Sequence, residues 1–185
     1  MQGEKLSREA WIAAGFSSLA RSGPASLQIN LLAKTLGATK GSFYWHFKDL
    51  KDFKGAMLSF WKSKVATEVM DEVRRAETAE ARFDLLFSNA MRTAPETYGG
   101  RDIEPAIRAW SLSDSDVAEA LGELDTLRLA FISQVLKDLE VNMPALPELA
   151  YAAYIGLDDL HAKKRADIGA ALDILKSMIL SRRAT

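Results

Sequence analysis

Apolar residues recur every three or four positions along most of the chain, which is the spacing of one face of an α-helix. No stretch has the alternating, β-branched pattern of a strand. We therefore predict an all-α protein with about nine helices. The predicted helices cover residues 7–20, 28–36, 39–47, 49–75, 79–94, 102–112, 115–140, 147–161 and 166–182.

The ends of the early helices carry residues with strong positional preferences. Ser7 and Thr39 are good N-caps, because a hydroxyl accepts from a free backbone amide of the first turn. Gly37 suits the left-handed residue that ends a helix. Asp49 and Asp52 resemble a capping box at the start of the long fourth helix. The second and third helices are expected to be short and the fourth long.

The apolar faces predict which side chains of the later helices enter the core. In the predicted helix 79–94, the inward residues are Phe83, Leu86, Phe87 and Met91. In the predicted helix 115–140, the inward stripe consists of Val117, Leu121, Leu124, Leu127, Phe131, Val135 and Leu139.

Composition excludes several kinds of chemistry. The 185 residues are 48% hydrophobic and 26% charged, as in a globular protein. The chain has no cysteine, which excludes disulfides, thiolate metal sites and a cysteine nucleophile, and fits a reducing compartment. Its apolar runs are too short to span a membrane, and its first ten residues are too polar for a signal peptide. We expect a cytoplasmic protein.

Charge is distributed unevenly, although the net charge is only −1. Residues 1–64 contain ten lysines and arginines against four acidic residues, whereas residues 65–185 contain fourteen against twenty-one. A basic N-terminal part on an acidic remainder is typical of a protein whose N-terminal part binds a polyanion. Charge alone does not separate this interpretation from chance clustering.

Residues 26–48 have the organisation of a helix-turn-helix, with a short helix, a glycine turn and a second short helix. Ala33 is small where two helices would cross, and Gly37 would take a positive φ in the turn. In such a unit the N-terminal end of the second helix enters the major groove of DNA.

The second helix of this unit also has a composition suited to DNA. Lys40 supplies charge for a phosphate or a guanine edge, and Gly41 and Ser42 allow the backbone to approach the duplex. Tyr44 and His46 can donate hydrogen bonds to phosphate. Phe43 and Phe47, four residues apart, are in contrast predicted to pack against the first and fourth helices. Because five consecutive helical residues cannot all face inward, Tyr44, Trp45 and His46 are not all expected in the core.

Residues 36–49, Leu-Gly-Ala-Thr-Lys-Gly-Ser-Phe-Tyr-Trp-His-Phe-Lys-Asp, closely resemble the DNA-binding signature of the tetracycline-repressor (TetR) family of bacterial regulators. The resemblance extends over about residues 7–58. It implies a three-helix, homeodomain-like head over residues 1–48 and a larger helical body over 49–185 that binds a ligand and dimerises, the helix 49–75 connecting the two. Members of the family are usually repressors that a small molecule releases from a palindromic operator, and they act on the bacterial nucleoid.

The resemblance implies a set of DNA-contacting positions in this sequence. They are Gln28, Asn30, Thr39, Lys40, Gly41, Ser42, Tyr44, Trp45, His46, Lys48 and Lys51. Among them, Tyr44 and His46 match phosphate contacts of the family, and Lys40 and Ser42 match base-reading positions.

Two positions depart from the family pattern. Gln28 stands where the family often has a threonine or serine helix cap, and Ser26 is the candidate substitute for that cap. Leu50 stands where the family commonly has a lysine that binds phosphate. Either Lys51 or Lys54 replaces that lysine, or the contact is lost.

The body offers candidate residues for a ligand pocket and for a dimer interface. The pocket candidates are Phe83, Phe87, Asn89, Met91, Tyr98, Arg108, Trp110 and Phe131. For each aromatic residue the alternative is ordinary core packing, and Arg108 either binds an anion or pairs with Glu104. In the family the last two helices pair across a two-fold axis, which implies an interface containing Ala152, Ala153, Gly156, Leu172, Leu175 and Ile179; packing within one chain is the alternative.

Two other classes of function were weighed. An enzyme is not expected, because the chain lacks a nucleophile elbow, a P-loop and a His-Glu-x-x-His motif, and because Asp158 and Asp159 would point about 100° apart on a helix. A metal at His161 and Asp158 is opposed by the simpler interpretation of a solvated helix end, so no metal or cofactor is expected. The other class is a ligand-binding dimer or adaptor that has lost DNA binding, which Gln28 and Leu50 would favour.

Overall fold

The architecture was obtained as a computed structural model that describes residues 6–92, 94–165 and 167–183, without the side chains of Val65 and Ala66. All regular elements of these residues are helical, as predicted. The α-helices are α1 (Arg8–Ser22), α2 (Ile29–Thr35), α3 (Lys40–Tyr44), α4 (Leu50–Lys62), α5 (Val69–Arg74), α6 (Ala79–Met91), α7 (Ile103–Ser111), α8 (Ser115–Asp138), α9 (Leu146–Ala162) and α10 (Ile168–Leu180). Within the described ranges no helix is long and apolar enough to cross a membrane.

The long helix predicted over residues 49–75 is a continuous helical run with an internal change of geometry. Between α4 and α5 the chain forms a π-helix over Ser63–Glu68, so the run counts as two α-helices. A π-helix closes each hydrogen bond over one more residue than an α-helix does. The predicted extent of the run was therefore right, although the periodicity gave no sign of the π-helical segment.

Most other differences lie at helix ends. The third helix ends at Tyr44 and not at residue 47, because the amides of His46 and Phe47 both donate to the carbonyl of Phe43, at 2.9 and 3.1 Å, and close a turn there. The last helix starts at Ile168, because the Asp167 carboxylate accepts from the amide of Gly169 at 2.9 Å. The predicted start at residue 166 lies outside the described residues, as do residues 1–5 and 184–185 of the predicted head and body.

The predicted helix caps are present. The Ser7 hydroxyl accepts from the amide of Ala10 at 3.2 Å. Gly37 has a φ of +61°, and the next amide, of Ala38, donates to the carbonyl of Ala33 at 2.8 Å. This six-to-one bond is the Schellman motif, which ends α2 and turns the chain towards α3.

The chain forms two compact units. The first consists of residues 1–61 and 93–121, and the second of residues 62–92 and 122–185. The predicted head, residues 1–48, belongs entirely to the first unit, which also contains the 3-10 turns Glu96–Tyr98 and Gly100–Asp102, α7 and the start of α8.

An aromatic cluster forms the core of the first unit near its N-terminal end. The ring of Phe43 lies 5.3 Å from that of Trp11 in α1 and 5.5 Å from that of Phe53 in α4. Phe47 lies 5.0 Å from Phe53. Phe43 and Phe47 therefore pack inward against the first and fourth helices, as predicted.

The core of the second unit is aliphatic and aromatic. It consists of Val73, Phe83, Phe87, Val135, Leu136, Leu139, Val141, Leu146, Ile168, Leu172 and Ile179. Two predictions of inward orientation were wrong, because Met91 and Leu127 are exposed. Met91 is the last residue of α6, beyond the part of that helix that faces the core.

Two side chains of α4 pack directly against Gly15 of α1. A Cβ at this position would lie 2.6 Å from Cζ of Phe53 and 2.7 Å from Sδ of Met57. Both side chains are fully buried and have little room to move. Glycine is therefore required here by packing between the two helices.

We expect Gly15→Ala to lower the free energy of unfolding by about 1–3 kcal/mol, because the added methyl overpacks this crossing. Gly55→Ala is the matched control, since a Cβ at Gly55 in α4 meets no heavy atom within 4 Å. It should raise stability by about 0.5–1 kcal/mol through helix propensity. Urea denaturation of both variants measures the difference, and a Gly15→Ala protein as stable as wild type would contradict the close approach.

Candidate nucleic-acid interface

The helix-turn-helix segment buries one side and exposes the other. In α2, Leu32 and Ala33 are buried, which agrees with the expectation that a small residue lies at a helix crossing. The opposite side of α2 and most of α3 face solvent, including Asn30 and Lys40. The predicted contact residues of these two helices therefore lie mainly on the accessible side.

The N-terminal end of α3 is capped and open to a partner. The hydroxyl of Thr39 accepts from the amide of Ser42 at 3.3 Å. Lys40 is the first helical residue, and no acidic side chain of the described ranges forms an ion pair with it. A Cβ at Gly41 would meet only the Thr39 hydroxyl, at 3.6 Å, which is an ordinary contact. Within the described ranges, no packing contact therefore requires a glycine at this position.

Tyr44 and Trp45 give the interface two large exposed rings. Their exposed fractions are 56% and 83%, whereas the neighbouring Phe43 is fully buried. The Tyr44 ring packs edge-on against Phe43, with 5.5 Å between ring centres. The buried phenylalanine thereby supports the exposed tyrosine.

His46 makes an internal contact that the sequence did not indicate. Its Nε2 lies 2.7 Å from the carbonyl oxygen of Leu6, just before α1. Because a carbonyl only accepts, Nε2 carries the proton in this contact. A neutral ring then has no second N–H, so the predicted donation from His46 to phosphate requires the doubly protonated imidazolium.

The turn from α3 into α4 is held by two aspartates. The Asp49 carboxylate accepts from the amide of Asp52 at 2.8 Å, and the Asp52 carboxylate accepts from the amide of Lys48 at 2.9 Å. The first bond is the predicted cap of α4 by Asp49, whereas the Asp52 carboxylate reaches the amide of Lys48, one residue before the amide that a capping box uses. The side chain of Lys48 is exposed, and that of Leu50 is half-buried.

The two candidate substitutes for the family lysine at position 50 both form ion pairs. Nζ of Lys51 lies 3.1 Å from the carboxylate of Asp116, and Nζ of Lys54 lies 3.1 Å from that of Asp114. The hydrogen bond and the charge from Asp116 raise the pKa of Lys51. Neither lysine is thus available to phosphate without giving up an acidic partner.

Of the two carboxylates that pair with these lysines, Asp114 is less exposed than Asp116. Burial alone raises its pKa, but the hydrogen bond and charge of Lys54, the amide of Val117 and the indole of Trp110 outweigh burial and place the pKa below its usual value. The Trp110 indole donates to the carboxylate at 3.2 Å.

The start of α2 lacks a side-chain cap. The side-chain amide of Gln28 donates to the carbonyl of Ala25 at 2.9 Å and leaves the helix end uncapped. The Ser26 hydroxyl is hydrogen-bonded to the carbonyls of Gly23 and Ser18, at 2.7 and 3.0 Å. The expectation that Ser26 substitutes for the cap was therefore wrong.

The pocket candidates are divided between the two units. Phe83, Phe87, Asn89, Met91 and Phe131 belong to the second unit, and Tyr98, Arg108 and Trp110 to the first. Phe83 and Phe87 lie in the core, and Met91 is exposed. The ring centres of Tyr98 and Phe60 lie 4.9 Å apart. The guanidinium of Arg108 lies 3.1 Å from the carboxylate of Glu104, which agrees with the ion-pair interpretation of that arginine.

The dimer candidates also separate. Leu172 and Ile179 are 2% exposed and belong to the intrachain core, and the half-buried Leu175 packs against it, so these three fit the alternative of packing within one chain. Ala152 and Gly156 are exposed on α9. The exposed Ile174 and Met178 were not predicted, because a period of 3.6 identifies an apolar face without saying which of two faces enters the core.

Comparisons with known proteins agree with this geometry. The sequence model of bacterial regulatory proteins of the tetR family matches residues 12–52, which contain α2, α3 and their turn. Comparison with curated protein sequences gives no match.

Several solved structures share the fold over nearly the whole chain. A transcriptional regulator from Rhodococcus sp. Rha1 has a TM-score of 0.75 and 22% identity, covering 95% of this chain and 97% of its own. A protein described as a TetR-family transcriptional regulator from Rhodococcus sp. and the reduced form of E. coli NemR each have a TM-score of 0.73 and 19% identity, covering 96% of this chain and 98% of theirs.

The family model covers the helix-turn-helix segment, and the solved structures share the fold of almost the whole chain. Residues 12–52 are thus similar to the matched domain of bacterial regulatory proteins of the tetR family, within a fold that solved transcriptional regulators share.

Proposed function

We propose that the protein is a repressor that binds a palindromic operator as a homodimer and is released by a small molecule. The observation that carries the DNA-binding part is the open N-terminal end of α3, where Lys40 and Gly41 precede the exposed Tyr44 and Trp45. Such an end suits the major groove, because it combines a mobile cation, close backbone access and hydrogen-bond donors. As a DNA-binding protein it would act on the nucleoid in the bacterial cytoplasm.

Each exposed residue at and around the N-terminal end of α3 has a distinct role in this proposal. Lys40 and Ser42 read bases, Asn30 approaches from α2, and Tyr44 and Lys48 bind phosphates. Thr39 holds the helix end, and Gln28 lies at its margin. Trp45 gives an apolar contact with the sugar-phosphate edge. The head, residues 1–48, would bind DNA, and residues 49–185 would bind the ligand and dimerise.

The first experiment is selection of genomic fragments with the purified protein, followed by salt titration on the enriched site. We expect a palindromic site whose logarithmic affinity falls by about 0.9 per phosphate contact for each tenfold rise in salt. The absence of enrichment, together with a flat salt dependence, would contradict the proposal. It would support the alternative of a ligand-binding dimer or adaptor that has lost DNA binding, which the paired Lys51 and the hydrophobic Leu50 favour.

Variants of Lys40 and Tyr44 distinguish base reading from phosphate binding. Lys40→Ala should cost about 1–3 kcal/mol on the operator and relax its sequence preference. Tyr44→Phe keeps the ring packing on Phe43 and loses only the hydroxyl, so it should weaken all sequences alike by about 0.5–1.5 kcal/mol. Fluorescence anisotropy measures the affinity of each variant for the operator and for unrelated duplexes. Lys137→Ala on α8 is the control for loss of an exposed lysine. Equal affinity of Lys40→Ala and wild type would remove the proposed role of Lys40.

Exposed apolar residues on α9 and α10 support the homodimer. They recur at helical spacing on each helix: Leu149, Ala152, Gly156 and Leu160 on α9, and Ala170, Ile174 and Met178 on α10. Ile174 and Met178 are 63% and 61% exposed. Continuous apolar stripes of this kind are typical of association surfaces, and a two-fold axis presents the same face twice. Two recognition helices would then lie about one DNA turn, 34–36 Å, apart.

We expect Ile174→Glu to convert the dimer to a monomer, because the interface would bury an unpaired charge. Leu127→Glu is the matched control, since Leu127 is exposed on α8, outside the two stripes. Sedimentation equilibrium gives the mass of each variant, and operator binding should fall together with dimerisation. A monomeric wild-type protein, or a dimeric Ile174→Glu, would contradict this interface.

Asn89 is the pocket candidate with the best structural support. Its Oδ1 accepts from the guanidinium of Arg92 at 2.7 Å, which fixes the orientation of the amide. Its Nδ2 is buried, with no acceptor in the described ranges of the chain. A buried N–H without an acceptor costs about 1–3 kcal/mol. We propose that this donor binds an oxygen acceptor of the effector.

Stability measurement tests this role before any effector is known. If Asn89 is retained for binding, Asn89→Leu should raise the free energy of unfolding by about 1 kcal/mol, because an unsatisfied donor is replaced by an apolar group. It should also abolish release from the operator by an effector identified through screening. A variant of unchanged or lower stability would contradict this role, because the Asn89 amide would then contribute to folding, through the bond from Arg92 or through Nδ2.

Release is proposed to occur by a population shift. The effector would bind more tightly to a conformation whose two heads are wrongly spaced for the operator, and it can shift the equilibrium only by that difference in affinity. Protein saturated with effector should therefore bind the operator less tightly than free protein. Equal binding in the two states would contradict ligand-responsive repression and leave DNA binding intact.

A further inference from the structure

The first turn of α4 carries an ion pair that has no evident role in stability. Nζ of Lys51 lies 3.1 Å from the carboxylate of Asp116, in the first turn of α8, and the two side chains are 81% and 57% exposed. Exposed pairs of this kind contribute little to folding, because water screens the charges and two side chains lose freedom. The pair is nevertheless specific, since it joins residues 65 positions apart in sequence.

A neighbouring cluster holds the start of α8 in place. The Asp114 carboxylate accepts from Lys54 at 3.1 Å and from the Trp110 indole at 3.2 Å, and Trp110 is fully buried. The Lys54 ammonium also lies 5.4 Å from the centre of the Trp110 ring. The carbonyl of Asp114 accepts from the amide of Ala118 at 3.0 Å, at the start of α8. Asp116, two residues further, is thereby presented to Lys51 from an anchored helix end.

Lys51 is well placed to add to the electrostatics of DNA binding. It follows the exposed Lys48 by three residues, in the turn at which the recognition segment passes into α4. Cations in this region would each release a condensed counterion on meeting a phosphate. The carboxylate of Asp116, 3.1 Å from Nζ of Lys51, pairs with the ammonium in the way that a phosphate would.

We propose that Asp116 is an internal competitor of DNA phosphate, which occupies Lys51 and so lowers the affinity of the protein for DNA of any sequence. The proposal rests on the proposed DNA-binding function. To bind phosphate, Lys51 must leave Asp116, and the carboxylate then remains unpaired beside the duplex and repels it. The acid therefore sets an upper limit on sequence-independent binding without touching the base-reading residues.

The test uses the full-length protein and a random-sequence duplex long enough for two half-sites. Asp116→Asn should raise affinity about three- to tenfold at low salt and steepen the logarithmic salt dependence by about one. Glu119→Gln, an exposed acid one turn along α8, is the matched control for the change of net charge. It should change affinity much less, because no ion pair joins Glu119 to a lysine in the parts of the chain that the structure describes.

A double-mutant cycle identifies Lys51 as the group that Asp116 occupies. Lys51→Ala should weaken binding only slightly in wild type and about three- to tenfold in the Asp116→Asn background. Equal effects of Lys51→Ala in both backgrounds, or equal affinities of Asp116→Asn and Glu119→Gln, would overturn the proposal. Thermal denaturation should give similar midpoints for all these proteins, since the pair is exposed.

The outcomes also distinguish this inference from the proposed function. If wild type and Asp116→Asn bind DNA with the same affinity and salt dependence, the competitor role is overturned and the repressor proposal stands. If neither protein binds any DNA, both proposals are overturned. If only Asp116→Asn binds the random duplex, the competitor role is supported, and selection of genomic fragments with wild type decides the repressor proposal.

Discussion

The burial of Phe43 between Trp11 and Phe53 is the contact on which the proposed DNA-reading surface depends. Helix α3 has only five residues, and a helix of that length is unstable by itself in water. Its orientation is therefore set by the aromatic side chains that it places between α1 and α4, while its outer side is left free for a partner. The same constraint explains the glycine at position 15, which lets Phe53 and Met57 approach α1 closely enough to complete the cluster.

Local signals in the sequence predicted the parts of the fold that depend on neighbouring residues. The spacing of apolar residues located the helices, and Ser7, Gly37 and the Asp49–Asp52 pair marked ends that the structure confirms. The resemblance at residues 36–49 lies within the range that the family model matches. These features were accessible because each involves residues within one or two helical turns of each other.

Features that join distant residues were not accessible in the same way. His46 binds the carbonyl of Leu6, and Lys51 meets Asp116, but charge and polarity along a sequence do not specify such partners. The orientation of α10 was also misjudged, since this helix is apolar on more than one side. Leu172 and Ile179 enter the core, while Ile174 and Met178 remain outside, and only packing against the rest of the unit distinguishes the two faces.

The open environment of Gly41 separates two kinds of evolutionary constraint. A methyl group there would meet only the hydroxyl of Thr39, at an ordinary distance, so folding places almost no demand on the residue. Any pressure to keep glycine at this position must come from a molecule outside the chain. Variation at position 41 among close relatives would then record divergence of their binding sites, independently of the drift that the protein core permits.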